Sequence, residues 1–211
     1  MRDKVRSAGR ILLLRIYVLR GPEGPWGAYS HILLHGMTAH LPRRDAKLQL
    51  ERTGPFIPPV TFPGIGDVIV TDPVRRALEA SGLSGASFRD VRKARIVELD
   101  WQSWERTEPD PPEYPNSGEP EDYILDRPHS RKLARDMGRL WELHLEEHAD
   151  VLRPQPGVID QDVKVVEGSW DGTDLFRGRG VNYVYGSDRA KSFLEATVGE
   201  WVEFRLAQTE K

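Results

Sequence analysis

The string His144-Leu145-Glu146-Glu147-His148 carries the residue types of a hydrolytic metal site. It fits the HxxEH pattern of inverted zinc proteases, in which two imidazoles one helical turn apart share a zinc ion and an adjacent carboxylate activates its water. His144, Glu147 and His148 are the residues such a site would use, as a metal-dependent hydrolase. A third protein ligand would have to come from an Asp or Glu of the short remaining stretch, and nothing in the spacing marks one. Both histidines also fall on the apolar side of an amphipathic pattern, so packing accounts for them without a metal. The packing reading is preferred, and no cofactor is expected.

Other chemistry-bearing residues are weaker candidates. If the run Trp26 to His40 is helical, His31 and His35 share a face with His40 nearby, but no third ligand converges and ordinary half-buried histidines are expected. Gly178, Gly180 and Gly186 match neither phosphate-binding fingerprint, since no Lys-Ser/Thr pair follows and no GxGxxG precedes a helix. Asp72 and Asp188 are matching carboxylates in two similar stretches. Each stands where a helix start needs an acceptor, Asp72 either as N-cap or, with Thr71 capping, in the first turn, so helix capping is the expected role.

Charge is the more informative signal. Net charge is −3, yet residues 105–126 hold eight Asp/Glu against Arg106, a local −7, whereas residues 1–20 hold six Arg/Lys against one Asp. A general nucleic-acid binder shows a basic excess, which this chain lacks. There is no cysteine, so disulfides and thiolate zinc sites are excluded. The apolar run Ile11 to Leu14 is ended by Arg15 after four residues, too short for a signal core or a membrane span. A protein that binds neither nucleic acid nor membrane and resides in the cytoplasm is expected.

The elements that must hold these residues are organised around a repeat. Residues 72–89 and 188–205 share Asp, Leu-Glu-Ala and Phe-Arg at one displacement of 116 positions, with no gap. Each follows an apolar run ending in a small hydroxyl residue, Thr71 or Ser187. This layout predicts strand, helix and strand twice, over about 66–101 and 181–207. In the first copy, Pro73 suits the first helical turn, Val74, Ala77, Leu78 and Leu83 form the buried stripe, and Gly82 ends the helix. A long central strand is expected from Ser87 to Trp101, and a first buried strand from Leu12 to Leu19. Gly54 to Gly66 reads as an extended, proline-rich connector.

Between the copies, five prolines exclude a helix interior or a central strand over 105–126, which predicts a long acidic loop. A long amphipathic helix is expected over 131–151, capped by Ser130, with Leu133, Met137, Leu140, Trp141, His144, Leu145 and His148 on one side. The expected fold is therefore α+β over a single domain 1–211: two similar strand-helix-strand units around a mixed sheet, with one long helix packed on it.

Trp170-Asp171-Gly172-Thr173-Asp174-Leu175-Phe176, a strand, Ser187-Asp188-Arg189-Ala190-Lys191 and Phe204 resemble the ending of a bacterial immunity-protein family of polymorphic toxin systems, immunity family eleven. Gly82-Leu83-Ser84-Gly85-Ala86-Ser87-Phe88 is similar to the ending of the related double-CxxCG immunity proteins, whose cysteines are absent here. The resemblance covers about half the chain as two islands. It implies a small cytoplasmic, non-enzymatic protein that binds and neutralises a cognate toxin. The acidic loop is the expected partner surface, with Glu108, Asp110, Glu113, Glu119, Glu121 and Asp122 steering a basic partner and Tyr114 and Tyr123 as anchors. A scaffold whose repeats self-associate is a third reading.

Overall fold

The computed structural model describes residues 15–152 and 163–210. The basic start to Arg10, the Leu12–Leu14 part of the expected first strand, and Pro154 and Pro156 lie outside the described residues. In chain order the elements are β1 (Ile16–Arg20), α1 (Ala28–His35), β2 (Gln49–Gly54), β3 (Val60–Gly64), β4 (Asp67–Thr71), α2 (Asp72–Ala80), β5 (Ala86–Asp90) and β6 (Arg92–Glu98). They continue as α3 (Asp122–Leu125), α4 (Arg131–Asp136), β7 (Leu140–Leu145), β8 (Glu147–Ala149), β9 (Val151–Leu152), β10 (Lys164–Val166), β11 (Leu175–Gly178), β12 (Val184–Ser187), α5 (Asp188–Val198), β13 (Glu203–Leu206) and β14 (Gln208–Glu210). The fold is α+β, as expected.

The sequence repeat is a structural repeat, and it extends to strands outside the repeated stretch. In the first unit β4, α2 and β5 form a β-α-β crossover whose two strands are not neighbours; β7 lies between them, antiparallel to both. In the second, β12, α5 and β13 flank β1 in the same way. Trp141 of β7 pairs with Val70 and Asp90, and Tyr17 of β1 pairs with Gly186 and Leu206. The displacement of 116 that relates the two sequences carries each pair of partners onto the other. An outer strand completes each unit, β3 with Val60 opposite Val70 and β11 with Leu175 opposite Gly186.

The central strands come from outside their units. β1 precedes the first unit in the chain but fills the slot of the second, and β7 follows the first unit and fills the slot of the first. The two units also share one core: Val70, Leu78, Trp141 and Leu143 pack in the same cluster as Leu19, Val184, Leu194 and Val198. Folding of either unit therefore depends on a segment far away in sequence.

The helix expected over 131–151 is a correction. Ser130 does cap a helix, its hydroxyl accepting from Leu133 N at 3.3 Å, but α4 ends at Asp136 and is followed by Gly138 at φ 69°. From Leu140 the chain is extended as β7, β8 and β9. Apolar residues at 140, 141, 143 and 145 satisfy a period of two as well as 3.6. The slot between β4 and β5 decides between them, because its two strand edges present unpaired amide and carbonyl groups that only another strand can satisfy. Among the described residues the longest α-helix is α5, 11 residues.

A second correction concerns the long strand from Ser87 to Trp101. It is two strands in different sheets: β5 lies at the edge of the four-stranded sheet beside β7, while β6 pairs in parallel with β2. Trp101 itself begins a short 3₁₀ turn, Trp101–Ser103.

The first-turn position with Thr71 before it is one of the two expected for Asp72, and the role of the aspartates there is a third correction. Asp72 and Asp188 are the first helical residues, and each carboxylate accepts from an aromatic side chain of the inserted strand, Trp141 Nε1 at 2.9 Å and Tyr17 Oη at 3.0 Å. In the second unit the cap is Ser187, whose hydroxyl accepts from Ala190 N at 3.2 Å. A cation three residues on completes both arrangements, with the Arg75 guanidinium 4.3 Å from the Trp141 ring centroid and the Lys191 ammonium 5.6 Å from that of Tyr17.

Candidate functional site

Residues 105–126 form the expected excursion without regular strands, with α3 near its end, and they are fastened along their length. A proline-rich segment has few amides to bond its own carbonyls, so donors arrive from elsewhere. Trp26 Nε1 donates to the Glu108 carbonyl at 3.1 Å and Tyr29 Oη to that of Gly118 at 2.7 Å, while within the segment the Tyr123 hydroxyl donates to that of Glu113. Arg127 donates to the Tyr123 carbonyl at 2.9 Å, and Arg95 to that of Leu125 at 2.6 Å. Beneath lies an aromatic cluster of Trp26, Leu33, Leu34, Trp101 and Tyr123, with Trp104 packed on Trp26 and Tyr123 at centroid distances of 5.8 and 5.9 Å.

This foundation leaves the acids outside. Glu108, Asp110, Glu113, Glu119 and Glu121 are exposed, and Asp122 is half-buried, accepting from the Ser117 hydroxyl. Glu113 is also paired with Arg127. Glu105, Glu108 and Asp110, with Pro109 and Pro112, border a cleft of about 280 Å³. The two tyrosines part company. Tyr114 is 46% exposed, with its ring edge-on to Tyr29 and its hydroxyl donating to Asp110, a bond that pushes its pKa up to about 12. Tyr123 is 0% exposed, and burial pushes its hydroxyl up to about 12. Tyr123 as a partner anchor is thus corrected: it holds the excursion to the fold, because its ring completes the cluster that Trp26, Leu33 and Leu34 cannot close alone.

The HxxEH residues are separated by the same strand formation that replaced the helix. His144 lies on β7 and His148 on β8, strands of two different sheets, so the two imidazoles do not sit a helical turn apart. The His144 Nε2 accepts from Arg89 at 2.8 Å, and its Nδ1 lies 3.9 Å from Glu142; desolvation and the Arg89 charge lower its pKa. His148 Nδ1 faces Asp171 at 2.7 Å, and Glu147 accepts from Gly180 N at 3.3 Å. Among the described residues no group of three or more His, Cys, Asp or Glu is arranged to hold a metal ion.

The other histidines have partners of their own. His31 and His35 share the face of α1 with ring centroids 4.9 Å apart. His35 is 0% exposed; its Nδ1 accepts from Phe62 N at 3.4 Å, leaving Nε2–H for the Pro22 carbonyl at 3.3 Å. Burial lowers its pKa to about 4. His40 meets the buried carboxylate of Glu51 at 2.6 Å. Deeper still, Glu142 is 1% exposed and is held in a two-pronged ion pair by Arg43 at 2.7 and 2.8 Å.

Sequence reasoning missed a cavity beside the acidic excursion. It measures about 180 Å³ and is walled by Trp26, Trp101 and Trp201, with Glu23, Glu200 and Arg106 also lining it. Its walls come from four separate stretches of chain, and the only signal in the sequence was the count of six tryptophans.

The two islands of resemblance meet in space. Ser84 N and Oγ donate to the buried Asp174 carboxylate at 3.0 and 3.2 Å, and Ser187 Oγ and Arg189 complete it at 2.7 and 3.0 Å. Gly85, at φ 90°, brings its backbone so close that a Cβ there would stand 2.0 Å from the Leu175 carbonyl oxygen. Gly85 and Asp174 therefore form a seam between the two units. No protein-family model matches the chain, and no curated protein matches it.

Proposed function

We propose that this protein is a non-enzymatic binding protein of immunity type, which neutralises a cognate protein toxin by direct contact through residues 105–126. One observation carries the reading: a segment of net charge −7 is held in a defined conformation by bonds and aromatic packing directed inward, with its carboxylates facing out. Ordering such a segment costs conformational entropy and concentrates like charges. A rigid acidic surface repays both costs when it meets a basic partner, because preorganisation lowers the entropy lost on binding and the field steers the encounter.

The test compares the wild-type chain with a sixfold variant, Glu108→Gln, Asp110→Asn, Glu113→Gln, Glu119→Gln, Glu121→Gln and Asp122→Asn, as affinity bait in native cytosol. A basic toxin should be retained by the wild type, protect cells when the two are co-expressed, and bind the variant at least about a hundredfold more weakly, with a flattened salt dependence. Retention unchanged by the six substitutions would remove the surface from the reading, and a captured protein without toxicity would remove the function. The hydrolase alternative has no geometric support, since His144 and His148 do not share a helix turn. Zinc that purifies in stoichiometric amount and is lost in His144→Ala would revive it.

A further inference from the structure

We propose that the tryptophan-walled cavity receives an arginine side chain from the protein partner, with Arg106 as its resident stand-in. Trp26, Trp101 and Trp201 line it, and the π-surface of the Trp101 ring already attracts a cation, the Arg106 guanidinium. Two carboxylates, Glu23 and Glu200, line the same space, and neither forms an ion pair or hydrogen bond among the described residues. An aromatic cage with unpaired acids is complementary to a planar, weakly hydrated cation more than to an ammonium ion.

The chain itself shows what the cage accepts. The Arg106 guanidinium lies 5.2 Å from the Trp101 ring centroid, and among the described residues its one hydrogen bond is to the Gln102 amide oxygen at 2.8 Å. Arg106 is exposed and is the single cation of the acidic segment, so it can be displaced without unpairing a buried acid. With Arg106 in place as one of its walls the space measures about 180 Å³, below the roughly 300–1,000 Å³ of cofactor pockets and on the scale of one side chain. The cavity is also continuous with the surface already described, since Trp26 both walls it and holds the excursion through Glu108. The inference rests on the reading that this surface engages a basic protein, but its test needs no toxin.

Acetyl-arginine amide, with acetyl-citrulline amide as its uncharged isostere, is titrated into the whole protein while the indole N–H resonances are followed. The expected result is saturable, millimolar shifts of the Trp101 and Trp201 signals with arginine and none with citrulline. Emptying the cage with Arg106→Ala should tighten binding about fivefold, and Glu23→Gln with Glu200→Gln should weaken it by a similar factor, given the usual size of such cation contacts. Equal response to citrulline, no shift by tens of millimolar arginine, or weaker binding in Arg106→Ala would overturn the proposal. Arginine binding that survives the sixfold loop variant, in a protein whose capture fails, separates the cavity from the wider reading of function.

Discussion

The indole of Trp141 donates to the carboxylate of Asp72 at 2.9 Å, and the hydroxyl of Tyr17 donates to Asp188 at 3.0 Å in the equivalent place of the second unit. Each bond ties an inserted strand to the first turn of the helix it lies beside, and each aromatic ring carries a cation, Arg75 or Lys191. The Trp141 bond, with Arg76 and Arg75 close by, holds Asp72 below the ordinary carboxylate range. Asp72→Ala should lower stability, because it orphans the indole N–H, and Trp141→Phe should lower it at least as much. The double variant should cost less than the sum of the two, measured by urea unfolding.

The seam between the units gives a sharper contrast. Gly85→Ala places a methyl 2.0 Å from the Leu175 carbonyl oxygen at φ 90°, so backbone must move. A loss of at least about 3 kcal/mol is expected from steric and backbone strain together. Gly118→Ala, also at positive φ but with open space around it, should cost about 1 kcal/mol. Similar melting temperatures for the two variants would contradict the seam.

Acid should weaken the fold through His35. Its folded pKa of about 4 lies below the ordinary 6.5, so between those values the unfolded chain binds the extra proton. Stability is therefore constant near neutrality and falls as pH drops from about 6.5 to 4, by up to about 3 kcal/mol from this group. A direct ring-proton titration should give a midpoint below 5; a midpoint near 6.5 would refute the burial argument.

Removing the cation from a buried pair should be worse than removing both partners. Arg43→Met leaves Glu142 as an uncompensated buried carboxylate, and a loss of about 2 kcal/mol is expected, reduced from the fully buried case because Arg43 is 41% exposed. Arg43→Met with Glu142→Leu should recover much of that loss in chemical denaturation.

The acidic excursion should tolerate loss of charge and not loss of its anchor. Converting Glu108, Asp110, Glu119 and Glu121 to amides should move the melting temperature by no more than about 2 °C, as exposed charges contribute little. Tyr123→Ala removes a fully buried ring and should cost about 3–5 kcal/mol, with new protease sensitivity between residues 105 and 126.

Local chemistry in the sequence was enough for several features. The α+β class, the two helices beginning at Asp72 and Asp188, the stop near Gly82 and the loop character of 105–126 all follow from caps, periodicity and proline, which act over a few residues. The exposure of Glu108, Asp110, Glu119 and Glu121 was legible too, since exposed charges need no partner to stay hydrated.

Tertiary structure decided the rest wherever local preference was double. Residues 140–145 satisfied both helix and strand periods, and the empty slot between β4 and β5 made them a strand, separating His144 from His148. Tyr123 was aromatic in an acidic loop, and only the cluster around Trp26 and Leu33 gave it a buried place. Trp26, Trp101 and Trp201 are scattered over 176 positions, and no short-range signal brings them to one cavity. Caps and turns are local energies written in neighbouring residues, whereas strand partners and cavity walls are chosen by which distant surfaces remain unsatisfied after the local elements form.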